Sequence, residues 1–268
     1  ETVRGKNVYI IQSTCPPVNE NLMELLIFVD SLKRSSAAEI NVIIPYFGYA
    51  RQDRKAKPRQ PISARLVADL LKVSGVTRVV TVDLHAPQIQ GFFSCLVDEL
   101  ATAPLYVATF LQDSHFNTKN LVTVSPDHGG VTRARKIADG LNTPLAIIDK
   151  RRNSRLEPEV MNIIGSVEGK DCLIVDDMID TAGSACAAAD ALINAGAKSV
   201  KIIATHAVLS DSAFERLSKS KFNQIIVSDS IPLPERFKEL NCKVISLAAP
   251  TPHIPKKQAA KPNERRRS

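Results

Sequence analysis

The stretch Leu173–Ser184, which reads LIVDDMIDTAGS, decides how this chain is expected to fold. Its apolar start predicts a buried β-strand. Two adjacent carboxylates, Asp176 and Asp177, end the apolar run, and a third, Asp180, precedes a turn of small and hydroxyl-bearing residues. Carboxylates held against an apolar strand need partners. The stretch therefore favours a strand whose carboxyl end meets a ligand over a simple solvated turn.

The same alternation of apolar strand and amphipathic helix extends outward along the chain. In the amino-terminal part the predicted elements are strand 8–13, helix 19–34, strand 40–45, helix 63–75 and strand 78–83. We expect Asn19 to cap the first helix and Gly75 to stop the second. Near-continuous apolar strands separated by helices indicate parallel sheets with helices on both faces. The predicted fold class is therefore α/β.

The alternation restarts near residue 102, which predicts two similar α/β domains at residues 1–102 and 103–249. Only three strands are clear in the first domain, so we expect it to be incomplete at its amino end. Residues 250–268 contain four prolines, and six basic side chains against one acidic side chain. This composition predicts a disordered tail.

Composition narrows the classes of function. The chain of 268 residues is 44% hydrophobic and 24% charged, and it has no apolar run long enough for a membrane span, so we expect no membrane role. The net charge of +7 comes mostly from the tail, so we expect no nucleic-acid partner. Five cysteines without metal-ligand spacing indicate reduced thiols and a cytoplasmic protein without a zinc site.

The carboxyl end of the predicted strand at Leu173 suits a phosphorylated sugar. Ligands of parallel α/β sheets lie beyond the carboxyl ends of the strands. The loop from Asp180 to Ser184 leads into a helix, whose first amides and dipole favour a phosphate, and Gly183 permits close approach. Carboxylates repel phosphate, so Asp176 and Asp177 suit ribose hydroxyls or a hydrated Mg²⁺ instead. A ribose phosphate satisfies both halves of the motif.

Other predicted strands also end in polar groups. Asp83 and His85 follow one strand, and Asp127 follows another, before a pair of glycines. His85 is a candidate ligand of a metal-bound nucleotide phosphate, although a purely structural histidine remains equally open. The strand that ends at Asp149 leads into a basic segment, Lys150–Arg155, which suits a lid over a phosphoryl-transfer centre.

A long loop, PYFGYARQDRKAKPRQP at 45–61, combines aromatic and basic side chains. Its aromatic residues, Tyr46, Phe47 and Tyr49, lie beside Arg51 and Arg54. Such a mixture fits a stacked base with a polyphosphate, while a solvated basic loop remains the alternative.

Together these motifs resemble ribose-phosphate diphosphokinases (phosphoribosyl pyrophosphate synthetases) of the phosphate-dependent bacterial type. In chain order the matching motifs are NLMELL, PYFGYARQDR, TVDLHAPQIQGFF, SPDHGGVTRARKIAD, AIIDKRR and LIVDDMIDTAGS. The resemblance covers residues 1–249 and implies two phosphoribosyltransferase-like domains. It implies transfer of the diphosphate of Mg-ATP to the 1-hydroxyl of ribose 5-phosphate, giving 5-phosphoribosyl 1-diphosphate and AMP for nucleotide biosynthesis. It also implies a homo-hexamer, with phosphate and ADP as allosteric effectors.

The resemblance assigns roles to particular residues, motif by motif. The implied ATP contacts are Arg51, Gln52, Asp53, Arg54 and His85, and the implied magnesium-linked residues are His85 and Asp127. The implied catalytic residues are Lys150 and Arg152. The implied ribose 5-phosphate contacts are Arg152, Asp176, Asp177, Asp180, Thr181, Ala182, Gly183 and Ser184.

Three departures from the family pattern leave alternatives open. The family has a further segment before the position of Glu1, including adenine contacts, and its carboxyl end differs from the basic tail here. Ser184 stands where many members have threonine, which keeps the hydroxyl group. The alternatives are a nucleobase phosphoribosyltransferase, which shares only the phosphate loop, and a non-catalytic, ligand-binding or regulatory relative, or an inactive fragment.

Overall fold

The computed structural model describes residues 2–114, 116–151 and 160–248. Arg152 and the predicted tail at 250–268 lie outside the described residues. Two sheets organise the described chain, and their strands and helices alternate. The predicted α/β class is confirmed. Among the described residues, no helix has both the length and the apolar character needed to cross a membrane.

The first sheet has four parallel strands in the order β1-β2-β3-β4. The strands are β1 (Asn7–Ile11), β2 (Glu39–Ile44), β3 (Arg78–Val82) and β4 (Leu96–Leu100), and the helices are α1 (Val18–Arg34) and α2 (Ser63–Ser74). Buried side chains of both helices, such as Leu25 and Leu71, pack against β2 and β3 in one core. On the outer strands, Tyr9, Ile11 and Leu96 remain exposed.

Two details of this half differ from the prediction. The sheet has a fourth strand, β4, whose sequence LVDEL alternates exposed and half-buried side chains and so lacks a continuous apolar run. Asn19 does not cap α1: the helix begins at Val18 after Pro17, which makes no side-chain cap bond. Asn19 instead accepts a hydrogen bond from the Tyr49 hydroxyl. Gly75 ends α2 with φ of 124°, as predicted.

The second sheet has seven strands in the order β11-β10-β9-β8-β5-β6-β7, and only the β6–β7 pairing is antiparallel. The strands are β5 (Leu121–Ser125), β6 (Leu145–Arg151), β7 (Val160–Ile164), β8 (Asp171–Ile179), β9 (Ser199–Ala207), β10 (Phe222–Ser228) and β11 (Cys242–Ile245). The helices are α3 (Ala103–Gln112), α4 (Val131–Leu141), α5 (Gly183–Asn194) and α6 (Ala213–Ser218). One core lies under α5 and α6 and a second under α3 and α4, so helices cover both faces.

The two sheets meet through polar groups at the carboxyl ends of their strands. Asp83, just after β3, accepts hydrogen bonds from the Thr102 amide at 3.1 Å and the Thr205 hydroxyl at 2.6 Å. His206 Nε2 lies 3.1 Å from the Asp83 carbonyl oxygen. Ser13, after β1, donates to the Ser230 carbonyl at 2.5 Å. The carboxyl ends of the two sheets therefore face each other, and ligand-binding edges from both meet there.

Candidate active site

Two adjacent carboxylates of β8 form the base of the candidate site. The strand continues to Ile179, beyond its predicted end, so Asp176 and Asp177 point to opposite faces. Asp177 is 5% exposed, and its Oδ2 lies 2.6 Å from Nδ1 of His85, which donates a hydrogen bond to it. Nη1 of Arg133, in the first turn of α4, lies 3.7 Å from Asp177 and 3.9 Å from Asp176. Groups from both sheets thus converge on the buried carboxylate.

These contacts give the two carboxyl groups different pKa values. Burial alone would raise the pKa of Asp177, but the hydrogen bond from His85 and the charge of Arg133 outweigh it and hold that pKa below its ordinary range. Burial and the neighbouring Asp177 raise the pKa of Asp176 to about 7. The hydrogen bond to Asp177 raises the pKa of His85. The surroundings therefore favour the charged form of Asp177, whereas the pKa of Asp176 lies close to neutral pH.

The loop predicted to bind a phosphate, residues 180–184, follows β8 directly. It lines a cavity of about 200 Å³ together with Asp176 and Asp177. Ala182 adopts a left-handed conformation, with φ of 61°, which turns the chain into α5 at Gly183. A methyl group added at Gly183 would approach only Arg216 and Thr181, at 3.6 Å or more, so the space beside this glycine is open to a ligand. We call residues 180–184 the phosphate loop.

Arg51 links the other predicted substrate loop to the phosphate loop. Its Nη1 lies 2.6 Å from Oδ2 of Asp180, and it lines the same cavity. Of the four loop residues predicted to contact ATP, all within the described chain, Gln52, Asp53 and Arg54 do not line this cavity. Gln52 accepts a hydrogen bond from the Ser63 hydroxyl, Asp53 accepts one from the Gln88 amide, and Arg54 is exposed.

The expectation that aromatic residues of this loop stack on a base is wrong for Tyr46 and Phe47, because both are buried. Tyr46 is 7% exposed and packs edge-on against His206, with ring centroids 5.0 Å apart. Phe47 is 2% exposed and contacts Phe93. Burial raises the pKa of Tyr46 to about 12. These rings anchor the start of the loop, and Tyr49 alone of the three is exposed.

The residues predicted to be magnesium-linked, His85 and Asp127, line the phosphate-loop cavity with Asp176. Asp127 also accepts a hydrogen bond from the Gly130 amide at 2.8 Å, at the start of α4. In the described part of the chain no group of three or more metal-ligating side chains is found. Mg²⁺ bound to substrate phosphates and water needs only one or two protein carboxylates, so the oxygen donors of Asp127 and Asp176 fit such an ion.

The predicted catalytic residues are only partly covered by the structure. The backbone of Lys150 belongs to β6, the neighbour of β5 in the sheet, whereas Arg152 lies outside the described residues. Just before Lys150, Asp149 Oδ1 lies 3.0 Å from Nε2 of His128. The root of the predicted lid is thus tied to the loop that carries Asp127.

Four residues that support the site were not assigned a role from the sequence. They are Asp83 at the junction of the sheets, Arg133 beside the carboxylate pair, and Ser210 and Arg216 beside the phosphate loop. Arg133 belongs to a basic motif, SPDHGGVTRAR, whose periodicity indicates only an exposed helix face. Ser210 and Arg216 follow β9, far from the phosphate loop in sequence. Ser210 and Arg216 approach the phosphate loop only in the folded chain.

The parallel sheet with a phosphate loop after β8 places the site in the phosphoribosyltransferase class. A family model described as "phosphoribosyl transferase domain" matches residues 97–235, and one described as "N-terminal domain of ribose phosphate pyrophosphokinase" matches residues 1–75. Curated relatives named "Ribose-phosphate pyrophosphokinase" agree with both. The protein from Caldanaerobacter subterraneus subsp. tengcongensis is 57% identical over 92% of this chain and 78% of its own length, and that from Fusobacterium nucleatum is 58% identical with the same coverage.

A solved structure supports the same assignment. The crystal structure of phosphoribosylpyrophosphate synthetase from Mycobacterium smegmatis is similar with a TM-score of 0.86 and 45% identity, over 92% of this chain and 80% of that one. The chain belongs to the ribose-phosphate pyrophosphokinase family.

Proposed function

We propose that this chain transfers the diphosphate group of ATP to the 1-hydroxyl of ribose 5-phosphate, giving 5-phosphoribosyl 1-diphosphate and AMP. One observation carries the proposal: a single cavity between the sheets is lined by residues expected for all three ligands. Arg51 belongs to the loop at 45–61, which is expected to bind ATP. His85 and Asp127 are the positions expected to bind magnesium, and the phosphate loop is expected to bind the sugar phosphate. A nucleobase phosphoribosyltransferase would not account for Arg51, His85 and the first sheet.

The sugar is held at its two ends. The amides at the start of α5 and the helix dipole favour the 5-phosphate, at the phosphate loop. Asp176, which lines the same cavity, accepts hydrogen bonds from ribose hydroxyls, while Asp177 remains paired with His85 and Arg133. Binding at both ends orients the 1-hydroxyl, which is the nucleophile, so the enzyme needs no covalent intermediate.

Phosphoryl transfer is accelerated mainly by positioning and by neutralising charge. Mg²⁺, bound through the ATP phosphates and Asp127, would neutralise phosphate charge and orient the ATP. His85, whose Nδ1 is held by the Asp177 carboxylate, is the second magnesium-linked position. Arg51, which lines the cavity, meets the phosphates of ATP. Lys150 and Arg152 stabilise the charge that develops in the transition state.

The family also supports finer proposals about organisation. We propose that the two sheets belong to domains at 1–102 and 103–249, and that the protein works as a homo-hexamer in the cytoplasm. Phosphate and ADP are the proposed effectors. Sedimentation analysis and activity titrated with each effector test these points separately from the reaction.

The reaction is tested by measuring AMP formation from Mg-ATP, with and without ribose 5-phosphate. We expect AMP only when both substrates are present. Ribose 5-phosphate binding without AMP formation would favour the non-catalytic relative. AMP formation without the sugar would make water the acceptor and would contradict the proposal.

A further inference from the structure

The segment after β9, residues 208–218, supports three consecutive residues: the last residue of β8 and the first two of the phosphate loop. The Leu209 amide donates to the Ile179 carbonyl at 3.0 Å. The Ser210 hydroxyl donates to the Asp180 carboxylate. Nη1 of Arg216 donates to the Thr181 carbonyl at 2.8 Å. A segment from a different strand connection therefore determines where the loop lies.

Arg216 orients the Thr181–Ala182 peptide, whose amide is available to an anion in the cavity. Its hydrogen bond holds the carbonyl of Thr181, which shares a planar trans peptide with the amide of Ala182. That amide consequently points away from Arg216, and Ala182 lines the cavity. Ala182 also occupies the left-handed region, which is unfavourable for a residue with a side chain. An external hydrogen bond to this peptide offsets part of that strain.

The charge of Arg216 is not paired with a carboxylate among the described residues. The other two arginines of the site face carboxylates: Arg51 pairs with Asp180, and Arg133 lies beside Asp176 and Asp177. Across the described residues, Arg216 forms no ion pair. Its Nη1 lies 3.6 Å from the position that a methyl group on Gly183 would occupy, at the first residue of α5. A positive charge therefore lies next to Gly183, at the end of the phosphate loop.

We propose that Arg216 is a positioning residue for the 5-phosphate: it orients the Thr181–Ala182 peptide and supplies the positive charge beside the phosphate loop. Arg216 thereby sets the affinity for the phosphorylated end of the sugar and has no part in ATP binding. The proposal rests on the proposed function, because it assigns the phosphate loop to ribose 5-phosphate. Since the guanidinium is exposed, solvent screens its charge and the effect is moderate.

The test compares three variants of the full chain. Arg216→Met removes the donors and the charge at similar length, Arg216→Lys keeps the charge, and Lys219→Met removes one charge at the exposed end of the same helix. Melting temperature, kcat and the KM of each substrate are measured, with calorimetric titration of ribose 5-phosphate in the absence of ATP. The titration does not depend on turnover, so it separates this inference from the proposed reaction.

We expect Arg216→Met to raise the KM and Kd for ribose 5-phosphate about tenfold, as for the loss of one charge-assisted hydrogen bond, with the KM for ATP unchanged. Arg216→Lys should recover part of the affinity, and Lys219→Met should match the wild type. An unchanged Kd in Arg216→Met would overturn the proposal. A parallel rise of both KM values with a lower melting temperature would also overturn it, because Arg216 would then be only structural. If Arg216→Met does not fold, the Kd of Arg216→Lys decides: a wild-type value overturns the proposal.

Discussion

Asp176 and Asp177 carry the same chemical group, but their different surroundings suit them to different roles. Asp177 is buried, accepts a hydrogen bond from His85 and lies beside Arg133, so it stays ionised and organises the cations of the site. Asp176 opens onto the cavity with a raised pKa, so it suits the hydroxyl groups of a sugar. The sequence DD predicts the pair, but only the register of β8 shows which member is buried.

Asp180 offers a direct test at the phosphate loop. Asp180→Ala removes the partner of Arg51 and the acceptor of the Ser210 hydroxyl, so the loop loses two supports. We expect the Kd of ribose 5-phosphate to rise about tenfold or more, measured by calorimetry. Asp190→Ala, an exposed carboxylate on α5, is the control and should leave the Kd unchanged. Equal values for both variants and the wild type would show that the loop is misassigned.

Lys150 is expected to act on the transition state rather than on binding. Lys150→Ala should lower kcat by about a hundredfold or more, because one cation that neutralises developing charge is lost. The Kd of ribose 5-phosphate should remain close to that of the wild type. Steady-state kinetics and calorimetry separate the two effects, and near-normal turnover would remove Lys150 from the catalytic role.

At the scale of elements, the turn after β2 sets the start of the loop at 45–61. Gly48 donates its amide to the Thr14 hydroxyl at 2.7 Å. A methyl group added at Gly48 would lie 2.5 Å from the Thr14 carbonyl oxygen and 2.8 Å from Val18. The turn therefore has no space for a side chain, and its position fixes where Arg51 leaves the first sheet.

Gly48→Ala should consequently destabilise the protein by roughly 1–3 kcal/mol, as overpacking of a tight site does. Denaturant unfolding measures the change in the free energy of unfolding. Gly91→Ala is the matched control, because nothing lies within 4 Å of a methyl group added there. A Gly48→Ala variant as stable as Gly91→Ala would contradict the packing described for this turn.

Elements with continuous apolar runs were predictable from the sequence. The strands that were not predicted lack such a run or pair in an unexpected direction. β2 and α2 lie where the pattern placed them. The edge strand β4 was missed because its alternating LVDEL lacks a continuous apolar run, and the antiparallel β7 was missed as well. The site motifs at β8 and α5 were predictable because strand and phosphate loop are contiguous. Arg216 was not, since its role depends on contact between distant segments.

At the scale of the whole molecule, a buried histidine joins the two sheets. His206 lies 2.9 Å from the Ser230 hydroxyl and 3.1 Å from the Asp83 carbonyl, and its ring packs against Tyr46. Burial lowers the pKa of His206, so the folded protein keeps it neutral. The unfolded chain takes up a proton on this histidine near pH 6.5.

This difference predicts a pH dependence with a definite sign. Because the folded pKa of His206 is the lower one, its contribution to stability is present above about pH 6.5 and is lost as the pH falls. His206→Gln removes the titration. Between pH 7 and 5, the slope of the unfolding free energy against pH should therefore be less positive in the variant, by at most about 1.4 kcal/mol per pH unit. Equal slopes for both proteins would show that His206 is not buried as a neutral group.

The central claim is that the diphosphate of ATP moves intact to the sugar, and a labelled phosphate tests it most directly. ATP labelled in its γ-phosphate is incubated with ribose 5-phosphate, Mg²⁺ and the chain, and the products are separated. We expect the label in 5-phosphoribosyl 1-diphosphate, with one AMP formed for each labelled sugar. Label in inorganic phosphate with ADP, or label that stays in ATP while the sugar binds, would contradict the account.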